Sequence, residues 1–222
     1  VAMVVITSDK GLAGALNSGV IKAASIAAAP YPVEAVSVYV YGRKGQEYFT
    51  RRGYQIAYYA ENKKDEVEHS VMEELAAVLT WKLTEGECDG VLVASRNFNG
   101  SLEQAGTVRQ LLPLSVEAVR ALVEDIMPDK GAQSHVGHPV SHMSVTPAYT
   151  VEPEGADVLS TLLPRLVAAS LYHMLLEAKA SEHSARMVAM KSASDKSKEV
   201  AHDLTRLANK LRQAAITREV SE

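Results

Sequence analysis

The run from Arg165 to Glu222, RLVAASLYHMLLEAKASEHSARMVAMKSASDKSKEVAHDLTRLANKLRQAAITREVSE, holds no proline and no glycine and consists mostly of good helix formers. It reads as one very long helix. At about 1.5 Å per residue it would span roughly 85 Å, several times the reach of a helix that only covers one small sheet. A helix this long needs a partner, because isolated helices draw their stability from buried apolar stripes. The stripe is present: Met190, Ala193, Ser197, Val200, Leu204, Leu207, Leu211 and Ala214 follow steps of three and four, the a/d seam of a coiled coil. Several of these residues are small, which lets another helix approach closely. The sequence holds no second long heptad segment to fill the seam. Either the molecule pairs with itself or the partner helix lies upstream of Val1.

The residues before this helix alternate strand-like and helix-like segments, the pattern of crossover units on a mostly parallel sheet. Val1 to Thr7 is a continuous apolar run of the kind found in buried strands. Leu16 to Ala29 is an Ala/Ile-rich helix stopped by Pro30, and Ala35 to Tyr41 is the next strand, β-branched and aromatic. A short helix over Gly42 to Arg52 and a strand over Tyr54 to Tyr59 follow. Asp65 to Thr84 places Val67, Val71, Leu75, Val78, Leu79 and Trp81 at helical spacing. Gly90 to Ser95 is a fourth strand, Asn97 to Ser101 a turn, and Val108 to Leu114 an antiparallel return. Residues 128–147 carry three prolines, two glycines and three histidines without periodicity, and read as an irregular loop. The expected organisation is an α/β domain over 1–153, with a Rossmann-like mostly parallel sheet, and a long coiled-coil helix over 154–222.

Composition narrows the function classes. No run approaches the eighteen or so apolar residues of a membrane helix, and the start shows no signal-peptide pattern, so the chain is expected to be neither membrane-inserted nor exported. The single cysteine, Cys88, cannot form an internal disulfide and fits a reducing compartment. The net charge of -4 does not point to nucleic acid, but it is uneven: Arg165 onward carries +3 and the remainder -7. The two regions are expected to meet different partners.

Chemistry-bearing patterns are few. Gly11, Gly14 and Gly19 follow a strand and open a helix, yet match neither G-x-G-x-x-G nor the P-loop spacing, so turn or packing roles are favoured over phosphate binding. His135, His138 and His142 lie close together without a cysteine or placed carboxylate to complete a metal site. Asp9, at the end of the first strand, is read as capping the turn that follows it. Met190 is read as coiled-coil core. No nucleophile set stands out, and no catalytic residue, cofactor or metal is expected.

Two segments at opposite ends carry a family resemblance. Ile6-Thr7-Ser8-Asp9-Lys10-Gly11-Leu12-Ala13-Gly14-Ala15-Leu16-Asn17 resembles the strand-to-helix signature of ATP synthase gamma subunits. Ala180 to Lys191, with Ser194-Asp195 and Arg212 to Thr217, resembles that family's C-terminal helix. Gln110 to Leu114 and Leu162 to Arg165 resemble its connecting segments, so the likeness covers nearly the whole chain. Departures are Ala13, where many members carry Cys, and Lys196-Ser197, in place of a more usual Asn-Ala pair.

The resemblance implies a central rotor stalk of a proton-translocating F-type ATP synthase, without its usual N-terminal helix, which would wind antiparallel against the C-terminal one. It further implies a shaft within a ring of alpha and beta subunits, a foot domain near the epsilon subunit and the membrane c-ring, and no chemistry of its own. Arg212 and Gln213, supported by Thr217 and Glu219, are expected to contact a beta-subunit loop. The implied setting is the cytoplasmic face of a bacterial plasma membrane, as a peripheral part of the complex. The competing reading from another class is an α/β enzyme or ligand-binding domain with a C-terminal dimerisation helix; a third is an unrelated coiled-coil adaptor.

Overall fold

The computed structural model describes residues 1–63, 69–98, 100, 104–114 and 155–222, with the side chains of 155–159 left aside. In chain order the elements are β1 (Ala2–Ile6), α1 (Leu16–Ala28), a 3-10 turn (Val33–Ala35), β2 (Ser37–Tyr41), α2 (Arg43–Arg51), β3 (Gln55–Ala60), α3 (His69–Thr84), β4 (Val91–Phe98), β5 (Gln104–Leu112) and α4 (Gly155–Ser221). Among the described residues the five strands form one sheet in the order β3-β2-β1-β4-β5. β1 pairs in parallel with β2 and with β4, β2 pairs in parallel with β3, and β5 closes the far edge antiparallel to β4. The mostly parallel sheet followed by one very long helix is the architecture read from the sequence.

β1 sits at the centre because every one of its residues is apolar and buried, as a strand covered on both faces must be. The pleat sends Met3 and Val5 to one face, where they meet Val20, Ala24 and Ala28 of α1 and Phe49 of α2. The four-residue spacing of the α1 contacts gives that helix a single buried stripe. Ala2, Val4 and Ile6 point to the other face. There they join Met72, Leu75 and Leu79 of α3 and Val167, Leu171, Met174, Leu175 and Ala178 of α4. The long helix therefore joins the core of the sheet from Val167 to Ala178.

Element edges differ from the sequence reading in two informative places. β4 runs on to Phe98 and β5 begins at Gln104, so the hairpin is longer than the apolar runs that announce it. Cross-strand pairing extends through polar residues, such as Asn97 opposite Ala105, once register is set. The helix extends ahead of the breaker-free run that starts at Arg165: α4 begins at Gly155, within the region expected over 154–222, and carries Pro164 inside it. That proline withholds an N–H from the helical ladder. Burial of Val167, Ala168 and Leu171 on the sheet holds the following turns in place. His135, His138, His142 and the loop read over 128–147 lie outside the described residues.

Tyr39 of β2 is buried, and its hydroxyl has no hydrogen-bond partner among the described residues. Burial pushes its phenol above the ordinary tyrosine value, with Lys82 pulling the other way. Removing an unpaired buried hydroxyl while keeping the ring should be neutral or stabilising by up to about 1 kcal/mol. The expected result for Tyr39→Phe is therefore an unfolding midpoint equal to or above that of the parent at neutral pH. A raised folded-state pKa gives stability that is complete below about pH 10 and lost above it as the unfolded chain ionises, so the gap in favour of Phe should widen there. Urea titrations at neutral and alkaline pH measure both; a clearly less stable Phe variant would show that the hydroxyl is paired.

Candidate functional site

The residues expected from the sequence to contact a partner lie on the long helix, and that helix has two parts of different character. From Val167 to Glu182 it is seated on the sheet; beyond Met187 its residues are largely exposed. The seat is a narrow stripe. Taking about 100° per residue, Leu171, Met174, Leu175, Ala178, Ser181 and Glu182 lie within about 60° either side of Ala178, and all six are buried.

Two charged side chains flank the stripe. Glu177 and Lys179 point about 100° to either side of Ala178. Arg109 Nη1 of β5 lies 3.3 Å from the Glu177 carboxylate, with both side chains about 15% exposed. His173, one turn back on α4, brings Nε2 to 3.7 Å from the other carboxylate oxygen. On the opposite flank Lys179, 6% exposed, donates from Nζ to the backbone carbonyl of Asn62 at 3.3 Å. Asn62 lies beyond the end of β3, so one charged group reaches the outer strand β5 and the other the segment that follows β3. Acidic and basic side chains are rarely buried without partners.

Asn62 is itself held by the end of β1. Its Nδ2 donates to the Thr7 carbonyl at 2.7 Å, and its backbone N–H donates to the Asp9 carboxylate at 2.9 Å. The second Asp9 oxygen accepts from the N–H of Arg43, the first residue of α2. Thr7 Oγ1 accepts from the N–H of Gly45 at 2.9 Å, and the Ser8 carbonyl from that of Lys44 at 3.3 Å. The open N–H groups at the start of α2 are thus taken up by three consecutive residues from the end of β1. Asp9 caps that distant helix, not the turn after its own strand. The turn is tied down by Asn17, whose Oδ1 accepts from Ser8 N–H at 2.9 Å and whose Nδ2 donates to Ser8 Oγ at 2.8 Å.

The glycine-rich turn carries packing and turn roles. Gly14 adopts φ +57, and a Cβ on Gly19 would stand 2.3 Å from Arg96 Nη1, so that glycine makes room for the guanidinium. Among the described residues no group of His, Cys, Asp and Glu is placed to hold a metal ion. No helix there is long and apolar enough to cross a membrane.

On the projecting part, the seam residues Met190, Ala193, Val200, Leu204, Leu207 and Leu211 lie along one face. The larger ones are 44–63% exposed. A shallow groove lined by Ala193, Lys196, Ser197, Val200, Ala201 and Leu204 runs along it. Arg212, Gln213, Thr217 and Glu219 are all exposed, but the helix does not gather them on one side. Arg212 and Glu219, seven residues apart, flank the seam at about 80–100°, whereas Gln213 and Thr217 lie on the back of the helix. The Thr217 hydroxyl is turned inward to the Gln213 carbonyl at 2.9 Å.

The seat on the sheet was not read from the sequence. A signal for it exists: Glu177 and Lys179 bracket Ala178 in an otherwise apolar, small-residue stretch, which sends opposite charges to opposite flanks of a buried face.

Comparison with known proteins bears on what this arrangement serves. The family model described as ATP synthase matches residues 1–222. The ATP synthase gamma chain of Chloroflexus aurantiacus is 35% identical over 224 residues, covering 100% of this chain and 70% of that protein. The ATP synthase gamma chain of Staphylococcus aureus is 36% identical over 220 residues, covering 98% of this chain and 69% of that protein. Among solved structures, the central stalk and c-ring of the Tetrahymena thermophila mitochondrial ATP synthase superposes with a TM-score of 0.60 at 24% identity, covering 87% of this chain and 75% of the matched one. A sheet with a long helix seated on it and projecting far beyond it is the shared fold, and at this identity and coverage the chain belongs to the gamma-subunit family of the ATP synthases.

Proposed function

We propose that this chain is the central rotor stalk of a rotary, ion-driven ATP synthase and couples turning of a membrane ring to conformational change at nucleotide sites on other subunits. The observation that carries the reading is the 67-residue helix α4, seated on the sheet only from Val167 to Glu182 and projecting beyond with an apolar seam. At about 1.5 Å per residue the part beyond Glu182 reaches roughly 60 Å from the sheet, far more than the α/β domain needs for its own stability.

On this reading residues 1–153 form the foot, which meets the epsilon subunit and the membrane c-ring, and residues 154–222 form the shaft inside the alpha and beta subunits. The shaft does no chemistry. Its surface differs with angle, so each beta subunit in turn meets different contacts and its nucleotide affinity shifts with them. The net positive charge from Arg165 onward suits an acidic bearing surface. Exposed ion pairs are individually weak, so they exchange without locking rotation. The complex sits at the cytoplasmic face of a bacterial plasma membrane, with this subunit peripheral to it. Purification of the tagged full-length protein from native membranes tests the reading: alpha, beta and epsilon subunits should co-purify in fixed ratio with ATPase activity. A free homodimer without those partners would overturn it.

The placement of Arg212 and Gln213 on different sides of α4 yields a sharper test within the assembled complex. As the shaft turns, the two meet the bearing at different angles, so Arg212→Ala and Gln213→Ala should each slow turnover. One lost intersubunit hydrogen bond is worth about 0.5–1.5 kcal/mol, so each rate should fall about two- to thirteen-fold. Neither substitution should alter the urea midpoint of the isolated chain, because both side chains are exposed. Steady-state ATPase assays check this, and full activity in both variants would remove these residues from the bearing.

A further inference from the structure

We infer that Glu177 and Lys179 are a pair of positioning residues that stop α4 from rolling about its own axis on the sheet. Rotation of the foot then reaches the projecting helix without slip. The inference rests on the rotor reading above and names the joint that reading requires.

A helix seated by an apolar stripe alone is held down but weakly indexed, since burial of apolar surface is non-directional. Leu171, Met174, Leu175 and Ala178 supply such a stripe. Torque delivered through the sheet acts to roll the helix within this seat. Glu177 and Lys179 oppose both senses of roll because they project about 100° to either side of Ala178. Glu177 is engaged by Arg109 of β5 at 3.3 Å, and Lys179 by the Asn62 carbonyl just after β3 at 3.3 Å. Arg109 lies on the edge strand β5 and Asn62 is held at the end of the central strand β1, so the attachment points stand on opposite sides of β4.

Neither attachment is a loose surface pair. The Arg109 and Glu177 side chains are about 15% exposed and Lys179 is 6% exposed. Their receivers are also fixed. Arg109 lies within the β4–β5 ladder, opposite Val93. Asn62 is fastened to Thr7 and Asp9 at the end of the central strand. A roll of α4 toward either side must stretch a buried, directional polar contact on the other.

The test uses the assembled complex, its alpha/beta ring fixed to a surface and a bead carried by Thr50→Cys, an exposed position of α2. The bead reports the foot while the ring holds the shaft, so the width of its angular distribution during a dwell measures twist in the joint between them. Glu177→Gln combined with Lys179→Met keeps side-chain volume and removes both charges. Roughly a doubling of angular variance is expected once both charged contacts are lost and the non-directional stripe carries the seat, with the unloaded ATP hydrolysis rate unchanged. Each single variant should broaden the distribution less, and the exchange of Arg109→Glu with Glu177→Arg should narrow it again. A double variant that rotates with the parent's angular width overturns the inference. If the double variant fails to assemble, the two single variants are judged by the same width. If the unsubstituted chain itself fails to assemble or turn the bead, the rotor reading falls and the inference with it, a failure recognisable because it strikes the parent.

Discussion

Gly42→Ala should unfold this protein at a temperature lower by on the order of 10 °C. Gly42 precedes α2 with φ +105 and ψ 139, a conformation that L residues rarely adopt and that costs about 1–3 kcal/mol on its own. Space is the larger obstacle. A Cβ there would stand 2.0 Å from the Thr7 carbonyl oxygen, 2.6 Å from its carbon and 2.8 Å from Thr7 Oγ1. Thr7 cannot yield, because its carbonyl accepts from Asn62 Nδ2 and its hydroxyl from Gly45 N–H, both buried. Strain and clash together put the loss at about 4 kcal/mol or more, in the range reserved for specific structural lesions. For a chain of this size each kcal/mol moves Tm by about 2–4 °C. Gly53→Ala is the internal control: its φ is +79 but nothing lies within 4 Å of the added carbon, so only the conformational cost of about 1–2 kcal/mol applies. Thermal unfolding of both variants decides the matter. If Gly42→Ala melts no lower than Gly53→Ala, close approach of the β1 end to α2 is not what requires glycine.

That approach also shows where sequence reading stops. Val1 to Thr7 announces a buried strand through its continuous apolar run, and Leu16 to Ala29 announces its helix through an Ala- and Ile-rich composition stopped by Pro30. Such signals are local, written within one or two turns of the element they specify. The long helix is legible for the same reason, since absence of breakers and a steady seam are properties of a single segment. The contacts that join segments carry no such mark. Asp9 followed by a glycine-rich turn looks like a cap for that turn, yet its carboxylate serves Arg43 and Asn62, 34 and 53 residues away. Local spacing supplies no warning, because parallel pairing of β1 with β2 and β2 with β3 brings those segments together. The residues proposed for the bearing fall between the cases. Their position on an exposed helix follows from the sequence, but the division of Arg212 and Glu219 from Gln213 and Thr217 into different faces emerges only when the helical angle is worked through.

Asp9→Ala is expected to destabilise the protein by about 2–5 kcal/mol, because it strips the acceptor from two N–H groups at once and each buried unsatisfied donor costs about 1–3 kcal/mol. Asp9 and Asn62 are each 4% exposed, so water offers little replacement at the Asn62 N–H, while the Arg43 N–H is part-buried. A further loss comes from removing a negative charge at the N-terminus of α2, whose first turn contains no acidic residue of its own. Asp9→Asn separates the contributions: one carbonyl oxygen can still accept, but the amide nitrogen turns a donor toward the other N–H, so at least half of the loss should remain. Urea midpoints of the three proteins measure this series. The consequence reaches beyond the cap, because the carbonyl of Asn62 also receives Lys179 from α4. Loosening Asn62 should weaken the Lys179 attachment, so Asp9→Ala and Lys179→Met should not add. Groups sharing one network typically couple by about 0.5–3 kcal/mol, whereas independent positions add to within about 0.5 kcal/mol. A double-mutant cycle on the full chain therefore reads whether the end of β1 and the seat of the long helix are one mechanical unit. Strict additivity would mean that the long helix is held without help from the cap, and that the Lys179 contact stands on the Asn62 backbone alone.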